Sequence, residues 1–457
     1  MAAAASSTGA AEITRRLSEI CGGSFARFAG VADEVAGRGA RWVAVPGGPA
    51  AAARVLRLAA RHDLTVVPRG AGTKIDWGAA PARVDIMLDT GRLAGIGHQS
   101  TGSPVVEIGA GTPLRAVQAT LERTGRRLPL DPPSPGATLG GVLAADEAGP
   151  LRHRYGTACE QLVGLRWLDA DGELVSTGAG GAEPPGSVGL DVGRLLCGSQ
   201  GALGVLVSAT LRVQAVPASR VWVSRPVWTP LEVHDLVRAV LAARLDPAAV
   251  ELDLPVDGRL PRRPLGATEA AARASHPSAG GRGARASVAR GGAGTVTVLL
   301  EGGPSDVTER ADALVRLLGA GTTVDHAAPP WWRRYPFAPG DTALRVEVPI
   351  TDLHAAVYAL RDAAGAPVPV RGSAGLGVVH AALPGSLSGE RVAAILAAVR
   401  GVLLARRGRC VVVAAPPLVR EEIELWGEPA VIPRIRAAKE QLDPHRRLAP
   451  GRLPGGL

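Results

Sequence analysis

The sequence contains few cysteines, lysines and aromatic residues. Its four cysteines, Cys21, Cys159, Cys197 and Cys410, lie far apart, so no local spacing among them suits an iron–sulfur cluster or a structural zinc ion. We expect them to be scattered thiols in a reducing compartment.

Long apolar runs are also missing from the sequence. No stretch of about 18 residues is both apolar and free of charge, which argues against a membrane-spanning helix. Residues 1–16 have no basic start before an apolar core, so they do not resemble a secretory signal. We therefore expect a cytoplasmic protein.

The net charge of +9 comes almost entirely from arginine, because Lys74 and Lys439 are the only lysines. Residues 259–294 contribute +6 of that charge, from seven arginines against Glu269. This stretch is rich in Ala, Gly, Ser and Pro and has no periodicity, which predicts a disordered insertion. Basic and aromatic residues are not interleaved, so the charge does not indicate a nucleic-acid partner.

The length of 457 residues suits about two to four domains. Residues 11–38 are predicted to be helical. Strands at 42–46 and 64–68 flank a helix opened by Pro49, which makes a βαβ unit. From about residue 220, helices alternate with strands such as 295–302 and 343–349, which predicts a second, α+β domain. The helices predicted there lie at 230–244, 305–318, 351–364 and 388–405, and a last amphipathic helix begins at 431 and stops near Asp443.

Further elements are predicted in the first half of the chain. Strands are expected at 84–89 and 105–111, followed by a helix capped by Thr112 and Pro113. Residues 161–178 predict a hairpin that turns at Asp171-Gly172. Residues 204–217 alternate as a strand with one exposed face does.

Three glycine-rich loops, RGAGTK (69–74), GATLGG (136–141) and GSQGALG (198–204), are each predicted at the end of a strand. A phosphate group needs several converging backbone N–H groups, and glycine lets a loop approach that closely. Arg69 and Lys74 would offset the charge of a diphosphate. No helix in the G-x-G-x-x-G register follows RGAGTK, so we expect a loop nest and not a Rossmann site. One such loop alone is usually only a tight turn.

The order of these loops resembles that of a known family. The matching blocks are VPRGAGTK (67–74), VVEIGAGTPL (105–114), LPLDPPSPGATLGGVLAADEAG (128–149), HRYGTACEQLVGLRWLDADGELVSTG (153–178) and LLCGSQGALGVLVSATLRV (195–213). Together they resemble the FAD-binding domain of the vanillyl-alcohol oxidase / p-cresol methylhydroxylase (PCMH-type) flavoproteins. The resemblance implies an α+β fold in which two α/β subdomains clamp an extended FAD and an α+β cap domain faces the flavin.

Weaker marks extend the resemblance to the FAD-binding subunit of glycolate oxidase (GlcE type) over nearly the whole chain. They are Thr73-Lys74 with Trp77-Gly78, the AGP at 148–150, Trp331-Trp332, GSAGLGVVHA (372–381), Trp426-Gly427 and LDPHRRLAPGR (442–452). The implied domains are a helical segment at 1–38, the FAD-binding domain at 39–219, the cap at 220–417 with the insertion at about 259–294, and a C-terminal helix and tail at 418–457 that return to the FAD domain.

The resemblance also implies which residues hold FAD. Residues of the first loop would line the diphosphate, those of the second would pass beneath the flavin, and those of the third would meet the adenosine. The implied set is Pro68, Arg69, Gly70, Ala71, Gly72, Thr73, Lys74, Pro132, Pro133, Thr138, Leu139, Gly140, Gly141, Gly149, Gly204, Val205 and Leu206.

The chain departs from the family pattern in three places. Some relatives attach FAD through a histidine in the loop that corresponds to 69–74, but this loop has none, so we expect non-covalent FAD. Asp146 and Glu147 stand where an asparagine is usual, and two acids near an anionic cofactor are unfavourable unless they point away. Gly189-Leu190-Asp191 replaces a Gly-Tyr-Asp, so that loop is expected to differ.

Catalytic residues are harder to assign, and no metal ligands are identified. Relatives that oxidise 2-hydroxy acids cluster histidines and acids in the cap, whereas the matching region here offers His380 alone, which is a candidate base or a core residue. Arg371 could pair with a substrate carboxylate. His153, Arg154 and Arg345 stay open, and Trp331 and Trp332 suit either a flavin contact or packing at a domain edge.

Two main functions remain open. One is an FAD-dependent oxidoreductase that oxidises a small 2-hydroxy acid such as glycolate and passes electrons to a partner. The resemblance implies that its partners are a GlcD-like flavoprotein and a GlcF-like iron–sulfur subunit. Such a complex would place the chain at the periphery of a membrane. The other is a flavin-bearing structural or relay subunit without substrate oxidation. A nucleotide-binding protein without flavin is a third possibility, and an absorption spectrum separates it from the other two.

Overall fold

The computed structural model describes residues 2–97, 102–178, 192–256, 294–427 and 432–457, with side chains from residue 9. The arginine-rich insertion, apart from Gly294, and the Gly189-Leu190-Asp191 segment lie outside the described residues. None of the helices in the described part is long and apolar enough to span a bilayer.

The first half of the chain contains helices α1–α6 and strands β1–β12. The helices are α1 (Ala2–Cys21), α2 (Pro49–Arg61), α3 (Leu114–Glu122), α4 (Leu139–Ala145), α5 (Arg152–Tyr155) and α6 (Val192–Leu196). The strands are β1 (Ala26–Phe28), β2 (Glu34–Val35), β3 (Arg38–Gly39), β4 (Trp42–Ala44), β5 (Val66–Arg69), β6 (Ile86–Asp89), β7 (Val105–Gly109), β8 (Arg126–Arg127), β9 (Leu162–Leu168), β10 (Leu174–Gly178), β11 (Val205–Arg212) and β12 (Gln214–Ala215).

The βαβ unit forms the first sheet, in the order β1-β4-β6-β5. Strands β4 and β5 both pair in parallel with β6 and not with each other. Helix α2 begins at Pro49, and Val55, Leu56 and Ala59 on one face of it are buried. They pack with Trp42 and other sheet residues in one apolar core. Strand β5 is the last strand in this order, and the loop at residues 69–74 begins at its C-terminal end.

The second sheet is antiparallel, in the order β10-β9-β11-β7. The predicted hairpin is confirmed, since β9 and β10 pair across the turn at Asp171-Gly172. The exposed face predicted for β11 is wrong. Val205 and Val207 pack into one core, while Leu206 and Leu211 pack into another. The strand lies between two apolar layers, so both of its faces are buried.

Two local predictions in this half are wrong. Of the one or two helical segments predicted over 11–38, the first is present and ends at Cys21, but the rest of the range holds a short 3-10 turn at Gly23–Phe25 and strands β1–β3. Pairing of β1 with β4 outweighs the weak helical pattern of this stretch. Thr112 does not cap α3, because its hydroxyl bonds the backbone of Gly95, and Pro113 precedes the first helical residue.

The second half forms the α+β cap. Its helices are α7 (Pro230–Ala242), α8 (Pro304–Leu318), α9 (Leu353–Ala364), α10 (Gly389–Leu404) and α11 (Pro417–Glu422), and a 3-10 turn lies at Ile350–Asp352. Its strands are β13 (Ser219–Val227), β14 (Ala249–Leu254), β15 (Gly294–Gly302), β16 (Thr323–Asp325), β17 (Thr342–Glu347), β18 (Val370–Ser373), β19 (Val378–Leu383) and β20 (Arg409–Ala414). The helices and strands predicted from periodicity are present here.

One antiparallel sheet, in the order β16-β13-β15-β14-β18-β19-β17-β20, makes up the cap. Side chains alternate along its strands. Leu344, Val346 and Val379 point into the core beneath α7–α10, whereas Arg345 and His380, which pair across β17 and β19, line a cavity on the other face. The cap therefore presents polar residues to the first half of the chain.

The C-terminal segment returns to the first domain. Helix α12 (Ile432–Leu442) leads into a tail that pairs with the first sheet, since Val66 N donates to Arg447 O at 2.8 Å and Ala449 N donates to Val66 O at 2.9 Å. The buried Lys439 donates to Ala202 O at 2.7 Å and to Leu448 O at 2.6 Å. The tail thus contacts the third glycine-rich loop directly.

Candidate cofactor site and domain interface

The three glycine-rich loops meet at one place in the fold. A Cβ on Gly70 would overlap the hydroxyl of Thr138, and a Cβ on Gly201 would lie 3.0 Å from Pro68. The first loop therefore contacts the second, and Pro68, directly before the first loop, contacts the third. Only the first follows a strand, because the second leads into α4 and the third leads into β11, so the prediction that each loop ends a strand is wrong for two of them.

The loops line a cavity that is partly open to solvent, with about 880 Å³ of empty space when that open part is included. The implied residues that line it are Pro68, Arg69, Gly70, Ala71, Gly72, Thr73, Lys74, Thr138, Gly140, Gly141, Gly204 and Leu206. The structure thus places most of the implied set around one cavity.

The first loop presents unpaired backbone donors to this cavity. The amide N–H groups of residues 70–73 donate to no other residue in the described part of the chain. Gly72 has a φ of 74°, a conformation that favours glycine. Consecutive free amides in such a turn form an anion-binding nest. A diphosphate fits this arrangement without a helix N-terminus.

The two cations of the loop line this cavity, but both are already paired with carboxylates of the chain. Arg69 bonds Asp89 at 2.9 Å and Asp33 at 3.3 Å. Lys74 Nζ lies 2.5 Å from Glu147 Oε1 and 2.6 Å from Ser134 Oγ. Because these carboxylates already offset both charges, backbone amides are the principal donors left for a diphosphate.

Glu147 does not repel an anionic cofactor, because its charge is held inside a network. Its Oε1 accepts from Lys74, from Ser134 N at 3.0 Å and from the Tyr335 hydroxyl at 3.0 Å. Burial and Glu147 raise the pKa of Tyr335 well above its usual value, so the phenol stays a donor. Asp146 adopts a left-handed conformation with φ of 44° at the end of α4. Glu147 therefore links the first domain to the cap through Tyr335, whereas Asp146 Oδ1 is buried without a hydrogen-bond partner among the described residues.

The other implied residues lie away from this cavity. Leu139 and Val205 are fully buried in apolar cores. Pro133 and Gly149 line a cavity on the cap side, and a Cβ on Gly149 would overlap the carbonyl of Asp131. Pro132 is half-buried beside them. These residues shape the wall between the domains.

Sequence reasoning missed several lining residues, chiefly Trp77, Gln200 and Arg452. The Arg452 guanidinium donates to Trp77 O at 2.6 Å and to Gln200 Oε1 at 3.0 Å. Burial lowers the pKa of Arg452 to about 10, which leaves it charged. The LAPGR sequence at 448–452 was the available signal, but its position beside the loops depends on the tertiary fold.

A second cavity, of about 1680 Å³, lies between the domains and shares Trp77, Ala145, Gln200 and Arg452 with the first. Residues 145–148 and 197–200 form one side, and cap strands β17, β19 and β20 form the other. These shared wall residues make the two cavities neighbours, so a ligand held at residues 70–73 lies next to the cavity that faces the cap.

His380 lies in this interdomain cavity and is not an ordinary core residue. Its ring meets Tyr335 edge-on, with centroids 4.9 Å apart. Burial, together with the charges of Arg345, Arg152 and Lys74, lowers the pKa of His380 to about 3. The imidazole is therefore neutral near pH 7.

Most of the remaining candidate residues form ion pairs or packing contacts with other residues of the chain. Arg371 Nε donates to Asp253 Oδ1 at 2.8 Å, and Arg345 pairs with Glu347 at 2.5 Å. Trp331 and Trp332 pack against each other, with ring centroids 5.6 Å apart, in a small cluster at the domain edge. His153 packs against Gly375, and burial lowers its pKa. Arg154 pairs with Asp246 at the surface.

Comparison with known proteins identifies the first domain. Residues 40–178 match the family model described as "FAD binding domain". The chain is 28% identical over 201 residues to D-lactate dehydrogenase [cytochrome] of Arabidopsis thaliana, covering 44% of this chain and 35% of that protein. It is 31% identical over 202 residues to D-2-hydroxyglutarate dehydrogenase of Xanthomonas citri pv. viticola, covering 44% and 42%.

It is also 26% identical over 204 residues to glycolate oxidase subunit GlcD of Bacillus subtilis, covering 44% of this chain and 43% of that protein. The chain thus matches less than half the length of each of these relatives.

The solved structure of p-cresol methylhydroxylase with substrate bound superposes with a TM-score of 0.68 at 12% identity, covering 96% of both chains. At that identity the likeness concerns the fold. The chain therefore carries an FAD binding domain, its cofactor is FAD, and its architecture is that of the PCMH-type flavoproteins.

Proposed function

We propose that the chain is an FAD-dependent oxidoreductase, or the FAD subunit of one, that oxidises a small 2-hydroxy acid such as glycolate. The observation that carries the proposal is the adjacency of two cavities. The cavity lined by the amide nest at residues 70–73 shares wall residues with the cavity that holds the neutral His380 and the cap arginines. Relatives named for lactate, 2-hydroxyglutarate and glycolate support the substrate class.

Each part of the site has a task in this reaction. Bound FAD supplies the acceptor for a hydride from the carbon that bears the substrate hydroxyl. Amides of residues 70–73 hold the diphosphate, and Arg452 supports the wall around Trp77 and Gln200. The neutral imidazole of His380 accepts the hydroxyl proton at a ring nitrogen. An anion bound beside Arg152 and Arg345 would offset their charges and raise the pKa of His380 toward a useful range.

We propose that FAD is held without a covalent bond. The loop at residues 69–74 contains no histidine, and no residue type there suits the attachment known from some relatives. Acid precipitation should release all of the yellow colour into the supernatant. A coloured pellet would contradict non-covalent binding.

The rival function is a flavin-bearing structural or relay subunit that oxidises nothing itself. The low pKa of His380, about 3, favours this rival because three cations oppose its protonation. Electrons would then pass between partners through this chain. In either case we propose a GlcD-like flavoprotein and a GlcF-like iron–sulfur subunit as partners, since the four cysteines lie too far apart in the sequence for the local spacing of a cluster.

Anaerobic reduction of the purified chain separates these functions. The chain is loaded with FAD and mixed with glycolate, D-lactate or D-2-hydroxyglutarate, and the oxidised flavin band is followed. Bleaching by a hydroxy acid supports the enzyme. A yellow protein that dithionite reduces but no hydroxy acid bleaches supports the rival, and a chain that binds no FAD contradicts both.

A further inference from the structure

A smaller cavity beside the interdomain cavity is polar on several sides. Its volume is about 450 Å³, and Arg152, Glu251 and Ser373 contribute polar side chains to its wall. It shares Arg152, Tyr335 and His380 with the interdomain cavity, so the two are in contact there. The cavity therefore adjoins the proposed site of oxidation.

Arg152 is a partly buried arginine of this wall that forms no ion pair with a described residue, whereas Arg333 and Arg334 in the same wall are exposed to solvent. Its guanidinium makes no hydrogen bond or ion pair with any residue that the structure describes. By contrast, Arg371 in the same wall pairs with Asp253, and Arg345 nearby pairs with Glu347. A largely buried guanidinium without an anion is unfavourable. Asp146 and Glu347 favour the charged form of Arg152 from beyond ion-pair distance, so the N–H donors of its guanidinium are left for a ligand.

Glu251 adds an unsatisfied group to the same wall. Its side chain is 5% exposed, and Oε1 has no hydrogen-bond partner. Burial and Asp131 raise the pKa of Glu251 to about 8, so the carboxyl is neutral near pH 7 and cannot neutralise Arg152. Ser373, its cross-strand neighbour on β18, places a hydroxyl beside it. Buried polar atoms without partners are uncommon in native proteins and often indicate a ligand or water.

We propose that this cavity binds the carboxylate of a small 2-hydroxy acid through Arg152, while Glu251 and Ser373 form hydrogen bonds with its remaining oxygen atoms. A guanidinium matches a carboxylate in a bidentate geometry. A protonated carboxyl can donate one bond and accept another, as a substrate with adjacent carboxylate and hydroxyl groups requires. This inference rests on the proposed function and adds the residue that selects for an acid.

Oxalate, a small dicarboxylate that cannot donate a hydride from a hydroxyl carbon, is a suitable probe. The full-length, FAD-loaded chain is titrated with oxalate, and Kd is read from the perturbation of the flavin spectrum. Arg152→Met should raise Kd at least about 30-fold, because it removes one partner of a desolvated charge pair. Arg154→Met is the matched control, since its guanidinium pairs with Asp246 at the surface, and it should leave Kd within about twofold.

Melting temperature and FAD content show whether each variant is folded. If Arg152→Met does not retain FAD, Arg152→Gln is titrated by calorimetry in its place, with the same expected loss. An unchanged Kd in the Arg152 variants, or an equal loss in Arg154→Met, would overturn the inference. Since oxalate binding needs no turnover, a chain that binds oxalate through Arg152 but is not reduced by hydroxy acids would refute the proposed activity and leave this site intact.

Discussion

Gly70, Gly140 and Gly201 occupy positions where the neighbouring chain leaves no room for a side chain. A Cβ on Gly140, for example, would lie 2.8 Å from the Ala110 Cβ. The sequence predicts such positions from loop composition alone. It could not predict that Lys74 pairs with Glu147 or that Arg69 pairs with Asp33, because the partners come from distant segments. Charge near a site says little until its counter-ions are known.

We expect Gly70→Ala to weaken FAD binding at least about tenfold, because the added methyl group displaces Thr138 and shifts the amide nest; overpacking of this kind costs about 1–3 kcal/mol. Fluorescence titration of the apoprotein with FAD measures the effect. Gly303→Ala is the control, since nothing lies within 4 Å of the added carbon. Equal affinity in the two variants would contradict the packing of loops described above.

The buried acid Glu251 should make stability depend on pH. Its pKa in the folded state is raised to about 8 from the ordinary 4.5, so the folded state binds the proton more tightly than the unfolded state does. Its contribution is most favourable below about pH 4.5 and is lost as pH rises toward 8. We expect Glu251→Gln to melt at a higher temperature than the parent at pH 8.

At pH 5 that difference should shrink or vanish. Melting curves between pH 5 and 8 test this, with the exposed Glu309→Gln as control. A gap between parent and Glu251→Gln that does not change with pH would show that Glu251 is ionised in the folded protein.

Helices with a strong periodicity of apolar residues could be predicted from the sequence. Strands whose formation or burial depends on distant segments could not. Helices α7–α10 bury one face against the cap sheet and follow the predicted bounds closely. Strand β1 was missed because its partner β4 lies beyond an intervening segment, and only that pairing stabilises it. The burial of both faces of β11 likewise depends on layers formed by distant segments. Tertiary context explains both errors.

Lys439 connects helix α12 to the third glycine-rich loop, and a substitution at Lys439 tests this contact. We expect Lys439→Met to lower the free energy of unfolding by about 3 kcal/mol, because it leaves the buried Asp443 without a cation. It should also weaken FAD retention, since Lys439 bonds Ala202 in the third loop. Urea unfolding and FAD content after gel filtration measure the two effects.

Arg436→Met, at an exposed position of the same helix, is the control and should change stability by less than about 0.5 kcal/mol. Similar losses in both variants would show that the buried ammonium of Lys439 has no special role.

For the whole molecule, the two domains are joined by polar contacts as well as by the returning tail. Arg127 donates to both carboxylate oxygens of Glu301, at 2.8 and 2.6 Å, and Tyr155 donates to the same group at 2.9 Å. Both partners of the ion pair are buried. The contact fixes the FAD domain against β15 of the cap.

We expect Arg127→Met to destabilise the protein by about 3 kcal/mol, because Glu301 would keep a buried charge with weaker compensation. Calorimetry should show the transition broadening or dividing as the domains lose their coupling. Arg123→Met, at an exposed position after α3, should melt like the parent. If Arg127→Met retains the melting temperature and sharpness of the parent, the contact does not couple the domains.

The central claim is that free amides of one glycine-rich loop hold the diphosphate of FAD. A crystal structure of the FAD-loaded chain tests it most directly. We expect diphosphate oxygens about 2.7–3.2 Å from the amide nitrogens of residues 70–73, with the flavin in the interdomain cavity. A diphosphate bound elsewhere, with those amides facing only water, would contradict the claim.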